Sequence, residues 1–339
     1  MRVLVVRLSS IGDVVHTLPA LAALHRHGWE AGWLVEPASR VLLDDNPLLG
    51  QVVAAPPAKA FAAWPALEAV RALRAFRYDV ALDFPGLWKS AGWARLSGAR
   101  RVLGWEHAAR RERASAVLVG ERVAPVAEGH VIDKNLALLR PLGIEAVGLR
   151  EFPLPFSPSA VARADEGLRG LGAVVLLNPG GGWASKLWPA ERFGALAKGL
   201  RGLGLQPLVT WGPGEEALAD RVVHASGGAA ARSFPTTLLD YVELARRAHL
   251  VVAADTGPLH LACAVGTPVV ALFGPTDPGR NGPFVPEDVA VRRTPACAPC
   301  YSRQCVRHAG IMDGIEVGEV LAAAERRLAV ARGQGSRAV

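Results

Sequence analysis

The sequence lacks most features that mark exported, membrane-spanning and repeat proteins. It has no internal repeat, no low-complexity block before its tail, and only four cysteines in 339 residues, which do not indicate export. Residues 1–8 alternate as a strand does, and Arg7 interrupts them before the apolar core of a secretory signal could form. The uncharged run 256–276 contains three prolines and three glycines, so we expect no membrane-spanning helix there. We expect the protein to begin at Met1 and to stay in the cytosol.

Several ligand motifs are missing as well. No complete Gly-x-Gly-x-x-Gly follows the first strand, and the glycine-rich stretch 178–186 lacks the Gly-Lys-Ser/Thr of a Walker loop. No carboxylate triad typical of a metal-dependent transferase is visible. No aromatic interleaving or nucleic-acid motif accompanies the basic stretches, so we expect no nucleic-acid partner.

The charge that is present is unevenly distributed. The net charge is +7, and the first 150 residues carry 19 basic and 14 acidic side chains against 19 and 17 in the remainder. Residues 95–113 hold six arginines and two glutamates. This excess is typical of a solvated surface, or of a protein that binds an acidic substrate or an anionic membrane.

The rest of the chain is organised around residues 250–277. An apolar strand at 250–254 leads into Asp255-Thr256-Gly257 and then a helix at 258–265, and a second strand at 268–273 ends in the polar turn 274–277. Strand-to-helix turns are the ligand-binding side of a parallel α/β sheet, and a helix N-terminus favours an anion such as a phosphate. The alternative is that Asp255 and Thr256 only cap the helix.

The opening of the chain has a similar pattern. A strand at 2–8 is followed by the turn 9–13 and by a helix at 14–27 that we expect to kink or restart at Pro19. Asp13 lies where a helix N-cap is expected. It is either a capping carboxylate or a general base that takes a proton from a substrate hydroxyl.

A glycine-rich loop opens the second half. A strand at 173–177 precedes the loop 178–186, which contains three successive glycines and Lys186, and a helix at 189–203 follows. Close backbone approach and an ammonium group suit a diphosphate, although a flexible turn with a surface lysine is the alternative. The next strand, 206–211, ends in the turn 212–216.

Strands and helices alternate in both halves, which predicts two Rossmann-like doubly wound α/β domains facing a cleft. The Pro-rich stretch near residue 155 predicts the boundary, which gives domains 1–155 and 156–315. A last helix at 316–332 could pack back on the first domain. Near its start, Cys297, Cys300, Cys305 and His308 could hold zinc, although their spacing fits no common finger and the segment could simply bury the thiols.

Five segments resemble the bacterial ADP-heptose:lipopolysaccharide heptosyltransferases of glycosyltransferase family 9. These segments are RLSSIGDVVHTLP at 7–19, GLWKS at 86–90, KLWP at 186–189, DTGPLH at 255–260 and FGPTDP at 273–278. The first two are more similar to heptosyltransferase I than to II. The resemblance implies the GT-B fold, with an N-terminal acceptor domain and a C-terminal nucleotide-sugar domain.

The resemblance also implies roles for individual residues. Asp13 would be the general base of an inverting displacement, and Lys186 would bind the donor diphosphate and stabilise its departure. No cofactor or metal would be required. Further donor contacts would come from the residues Gly181, Gly182, Glu215, Asp255, Thr256, Gly257 and His260. Glycine N–H groups would here replace the hydroxyl groups found near Gly181 and Gly182 in heptosyltransferase I.

The function implied is transfer of heptose from ADP-heptose to Kdo of lipid A-linked lipopolysaccharide, at the cytoplasmic face of the inner membrane. Acceptor contacts would come from Ser10, Gly12, Lys89, Arg110 and Arg111. Two alternatives remain open. One is another GT-B enzyme that uses a different nucleotide sugar or a later core acceptor, and the other is a nucleotide-sugar-binding protein without turnover.

Overall fold

A computed structural model describes residues 1–56, 63–126, 129–299 and 310–335 of the chain. The chain divides into two compact units, Met1–Phe156 and Ser157–Val339. Each contains one six-stranded parallel sheet covered by helices, which confirms the predicted doubly wound α/β architecture. Among the described residues, none of the helices combines the length and the apolarity needed to cross a bilayer.

The strands of the first unit are β1 Arg2–Val6, β2 Glu30–Val35, β3 Leu49–Ala54, β4 Val80–Asp83, β5 Arg101–Trp105 and β6 Glu121–Val123. Its helices are α1 Ile11–Val15, α2 Leu18–Arg26, α3 Pro37–Arg40, α4 Ala63–Phe76, α5 Trp88–Leu96 and α6 Val131–Ala137.

The strands of the second unit are β7 Val174–Asn178, β8 Gln206–Val209, β9 Ala231–Arg232, β10 Leu250–Ala254, β11 Val269–Phe273 and β12 Val289–Arg292. Its helices are α7 Pro158–Gly167, α8 Ala190–Gly202, α9 Glu216–Ala225, α10 Leu238–Arg247, α11 Gly257–Ala264, α12 Pro278–Asn281 and α13 Val317–Gly335.

Both sheets have the same topology. The first has the order β3-β2-β1-β4-β5-β6, and the second, read from its other edge, has the order β9-β8-β7-β10-β11-β12. The strand order therefore reverses direction between β1 and β4 in one unit and between β7 and β10 in the other. In such sheets, ligands bind outside the carboxyl ends of the strands at this switch point. The loops after β1, β4, β7 and β10 are thus the places to look for a site.

Local sequence accounts for several helix starts. The first helical segment restarts at Leu18, as predicted, with Pro19 in the first turn of α2, where its missing N–H group is not needed. Thr237 caps α10, since its hydroxyl accepts a hydrogen bond from the Asp240 N–H and the Asp240 carboxylate accepts one from the Thr237 N–H. Just after the Pro-rich stretch, Ser157 caps α7, since its hydroxyl accepts a hydrogen bond from the Ala160 N–H at 3.3 Å.

The core of each unit lies between its sheet and its helices. In the second unit, Trp188 and Phe193 pack edge to face with ring centroids 4.9 Å apart, and both side chains are buried. Helix α13 contacts α8, β11 and β12 of the same unit. The Trp188 indole N–H donates to the Ile315 carbonyl at 3.0 Å, which fixes the start of the last helix beside α8.

Candidate functional site

The loops that follow β7, β8 and β10 meet at one edge of the second sheet. A side chain on Gly180 would collide with the Glu215 carboxylate, and a Cβ on Gly181 would lie 2.7 Å from the Thr256 methyl group. Both glycines are therefore needed for the close approach of these loops. Glu215 and Thr256 lie on either side of the glycine loop, against Gly180 and Gly181.

Asp255 is the centre of this edge. Its side chain is 3% exposed and its two oxygens accept four hydrogen bonds. Oδ2 accepts from Lys186 Nζ at 2.6 Å and from Thr276 Oγ1 at 2.7 Å. Oδ1 accepts from Asn281 Nδ2 at 2.9 Å and lies 3.2 Å from His260 Nε2.

The charge of Asp255 is stabilised by these partners. Burial alone would raise the pKa of the carboxyl group, but the hydrogen bonds and charges of His260 and Lys186 outweigh burial and hold the pKa far below its usual range. Asp255 is therefore a permanent anion at neutral pH and supplies the negative charge that keeps Lys186 in place.

Lys186 lies between Asp255 and an aromatic ring. Its ammonium group donates to the Asp255 carbonyl at 2.9 Å as well as to the carboxylate, and it lies 4.5 Å from the centre of the Trp183 ring. The side chain is 13% exposed. Two of the three N–H groups of the ammonium are directed to Asp255, so one remains for an anionic ligand.

The N-terminus of α11 adds backbone donors beside Lys186. Thr256 is the N-cap residue and Gly257 is the first residue of the helix. The first N–H groups of a helix have no partner within it, and together with the helix dipole they favour a negative charge. A cation, aligned N–H groups and a close-approach glycine loop are the chemistry expected at a diphosphate site.

Glu215 is the acidic residue that reaches this edge from β8. Its carboxylate accepts a hydrogen bond from the Gly212 N–H at 2.9 Å and lies against Gly180. The next residue, Glu216, is exposed in the first turn of α9. The structure thus brings Glu215 to the glycine loop, while its contact with the donor stays a prediction.

The corresponding edge of the first sheet carries Asp13. Asp13 Oδ2 accepts hydrogen bonds from the Ser10 N–H at 3.0 Å and from the Ser10 hydroxyl at 3.2 Å, while Oδ1 lies 3.8 Å from Arg7 Nη1. The side chain is 39% exposed. One oxygen is thus anchored by the helix start, and the carboxylate remains accessible to a substrate hydroxyl. Gly12 is buried in the same helix start.

The support beneath Asp13 was not predicted. Arg7 is buried, with Nε donating to Thr17 Oγ1 and Nη2 to Asn135 Oδ1, each at 3.1 Å. The Thr17 hydroxyl in turn donates to the Asp13 carbonyl at 2.8 Å. Thr17 and Asn135 thereby hold Arg7 in place behind the exposed carboxylate. Asn135 lies 128 residues from Arg7, and no local pattern signals such a contact.

The basic residues predicted to contact an acceptor have different surroundings. Lys89 forms an ion pair with Glu36 at 2.7 Å, and Arg111 is exposed. Arg110 is buried with Asp83, both side chains being 0% exposed, and its Nε donates to Ser115 Oγ at 2.8 Å. In this position Arg110 holds the loop after β5 against the end of β4 and does not reach the surface.

Replacing Arg110 with Ala is expected to lower the free energy of unfolding by about 3–5 kcal/mol, because Asp83 would remain buried without its cation. Urea denaturation measures this change. Arg111→Ala is the matched control and is expected to have less than about 0.5 kcal/mol of effect, since Arg111 is exposed. Equal stability of the two variants would contradict the structural role of Arg110.

The possible zinc site lies mostly outside the described residues. Cys297 is half-buried, whereas Cys300, Cys305 and His308 are not among the residues that the structure describes. Within the described ranges, no three His, Cys, Asp or Glu side chains come together as a metal site would require.

Comparison with known proteins extends these observations. Residues 66–309 match the model of glycosyltransferase family 9 (heptosyltransferase). The lipopolysaccharide heptosyltransferase 1 of Pseudomonas aeruginosa is 32% identical over 324 residues, which cover 90% of this chain and 87% of that protein.

Solved structures show the same fold. The Escherichia coli heptosyltransferase WaaC with ADP has a TM-score of 0.77 at 23% identity, covering 96% of this chain and 100% of the other. The same enzyme with ADP-2-deoxy-2-fluoro heptose has a TM-score of 0.75 at 24% identity, covering 96% and 99%. The two doubly wound units are thus those of the GT-B fold.

Proposed function

Since the chain belongs to glycosyltransferase family 9, the heptosyltransferase family, it is a lipopolysaccharide heptosyltransferase, and we propose that it transfers heptose from ADP-heptose to Kdo of the inner core. The observation that carries this proposal is the cluster of Lys186, Asp255 and His260 at the N-terminus of α11, beside the glycine loop. A cation and backbone donors at a sheet switch point suit a nucleoside diphosphate leaving group.

The donor is held, in this proposal, by the second unit. The diphosphate binds Lys186, the N–H groups at the start of α11 and those of Gly181 and Gly182, and Glu215 accepts hydrogen bonds from the ribose. The choice of ADP-heptose is supported by relatives whose names specify heptose transfer and by the ADP and ADP-heptose analogue in the related structures.

The chemistry proposed is a single inverting displacement. The acceptor hydroxyl oxygen attacks the anomeric carbon on the face opposite ADP and loses its proton to Asp13. The bond between the anomeric carbon and the phosphate oxygen breaks, and its electron pair leaves with ADP. Lys186 and the aligned N–H groups stabilise the negative charge that develops on the departing diphosphate, so we propose that no metal is needed.

The acceptor, in this proposal, is bound by the first unit. Its contacts follow the carboxyl ends of three parallel strands, with Ser10 and Gly12 after β1, Lys89 at the start of α5 after β4, and Arg111 after β5. We omit Arg110 because its side chain is buried with Asp83. The basic excess of the first 150 residues supports an anionic acceptor and peripheral binding at the cytoplasmic face of the inner membrane. Cosedimentation with anionic vesicles, weakened by added salt, tests the membrane association.

Steady-state assays with a panel of donors test the function. Purified protein and Kdo2-lipid A are incubated with ADP-heptose, with an ADP-hexose or with a UDP-sugar, each with and without EDTA. We expect turnover with ADP-heptose that EDTA does not reduce, and a product whose anomeric configuration, read by NMR, is opposite to that of the donor. Preference for a UDP-sugar would refute the donor assignment, and retained configuration would refute the single displacement.

Replacing Gly180 with Ala tests the position of Glu215. The new methyl group would displace the Glu215 carboxylate, so we expect the Kd for ADP to rise about tenfold, which corresponds to about 1.4 kcal/mol. Isothermal titration calorimetry measures this change. Gly202→Ala at the end of α8 is the matched control, because a Cβ there meets no atom within 4 Å. Unchanged ADP affinity in Gly180→Ala would argue against contact between Glu215 and the nucleoside.

A further inference from the structure

The loop after β11 contributes two side chains that the proposed reaction does not use. Thr276 and Asn281 are both buried, and both donate hydrogen bonds to Asp255, at 2.7 and 2.9 Å. Neither residue lies in the loops after β7 or β10, which carry the other groups of the proposed donor site. Their common target is a carboxylate that is itself 3% exposed.

The hydrogen bonds divide evenly between the two oxygens of Asp255. Oδ2 is shared by Lys186 and Thr276, and Oδ1 is shared by His260 and Asn281. Each oxygen therefore binds one group of the proposed donor site and one side chain from the loop after β11. A carboxylate with two neighbours on each oxygen has little freedom to rotate, and it has no lone pair left for a substrate hydroxyl.

We propose that Thr276 and Asn281 are positioning residues, which fix the carboxylate of Asp255 so that it in turn fixes Lys186 and His260. Asp255 then acts on the diphosphate only through these two groups, because two anions would repel each other if they were in direct contact. The expected effect of these residues on heptose transfer rests on the proposed function. Their expected effect on the reactivity of Lys186 does not.

The orientation of Asn281 is itself supported. Its Oδ1 accepts a hydrogen bond from Arg280 Nη1 at 3.1 Å, which directs the Nδ2 donor toward Asp255. The side chain of Asp277 accepts from the Gly279 N–H at 2.9 Å and starts the short helix α12 that carries Asn281. The turn after β11 is thus built to present its donors inward.

The test measures the reactivity of Lys186 directly. A brief pulse of an amine-acetylating reagent is followed by peptide mass spectrometry, and labelling of Lys186 is expressed relative to the exposed Lys198 on α8. We expect Thr276→Val to raise this ratio about tenfold, the factor that corresponds to one lost hydrogen bond to a charged group. Asn281→Ala removes a donor from the other oxygen of the same carboxylate and is expected to raise the ratio as well.

Kinetics give a second readout. We expect Thr276→Val to lower kcat for heptose transfer roughly 10- to 100-fold through misplacement of Lys186, with a smaller change in the donor KM. Thr276→Ser keeps the hydroxyl group and is expected to restore both the labelling ratio and kcat. Thermal unfolding of each variant shows whether it is folded, and Thr276→Ala replaces Thr276→Val if the latter is not.

The outcomes separate this inference from the proposed function. A labelling ratio in folded Thr276→Val equal to that of the wild type would overturn the positioning role, whatever the enzyme transfers. Loss of kcat in Thr276→Ser as large as in Thr276→Val would also overturn it, because packing and not the hydroxyl group would be responsible. Absence of heptose transfer by the wild type would refute only the proposed function.

Discussion

Replacing Asp13 with Asn is expected to lower kcat by about 10²- to 10⁴-fold, the usual contribution of a general base. The amide cannot take the proton from the acceptor hydroxyl, while its oxygen can still accept the hydrogen bonds that Ser10 donates to Oδ2. The fold and the affinity for ADP should therefore be unchanged, since ADP binding is assigned to the second unit. Initial rates of ADP release at saturating donor and acceptor measure the effect.

The matched control is Asp44→Asn in the same unit. Asp44 is a partly exposed carboxylate that forms an ion pair with Arg40 four residues before it, and its removal should leave kcat within twofold of the wild type. Full activity of Asp13→Asn would show that another group accepts the proton. Asp13 would then serve only to stabilise the start of α1 through its hydrogen bonds with Ser10.

Replacing Lys186 with Met is expected to lower kcat roughly 10²- to 10³-fold, because it removes one preorganised hydrogen-bond donor from the place where negative charge develops. Methionine keeps much of the apolar length of the side chain against Trp183 but removes the ammonium group. The Kd for ADP should rise as well, because the same group binds the diphosphate before and after transfer. Single-turnover kinetics and calorimetry measure the two effects separately.

Lys198→Met is the control for this substitution, since Lys198 is exposed on α8. Because Asp255 would lose one of its partners, the unfolding temperature of Lys186→Met must be measured beside its activity. A folded Lys186→Met variant with wild-type kcat would mean that the ammonium group serves only to neutralise Asp255.

The donor edge could be predicted from sequence because it depends on local patterns. The apolar strands at 174–178 and 250–254 each end in a polar turn, and the carboxyl ends of parallel strands lie on one edge of a sheet. That rule places Lys186 and Asp255 beyond the carboxyl ends of their strands, but it does not say which strands are neighbours. In the structure β7 and β10 pair, and Lys186 Nζ lies 2.6 Å from Asp255 Oδ2.

The residues that support the site could not be predicted in the same way. Arg7 directly follows β1 and Asn135 lies in α6, and no periodicity links residues so far apart in sequence. Arg110 is buried because it pairs with the fully buried Asp83. In the sequence, however, Arg110 stands among other arginines, and such a pattern indicates an exposed surface. The two-residue strand β9 is too short to show an alternating pattern.

The most direct test of the central claim is the mass of Kdo2-lipid A after incubation with the purified protein and ADP-heptose. We expect the acceptor to gain the mass of one heptose with the wild type, and to gain none with Asp13→Asn over the same time. A folded wild-type protein that binds ADP but leaves the mass of the acceptor unchanged would contradict the account. The GT-B fold would stand, and the donor and acceptor would have to be sought among other sugars.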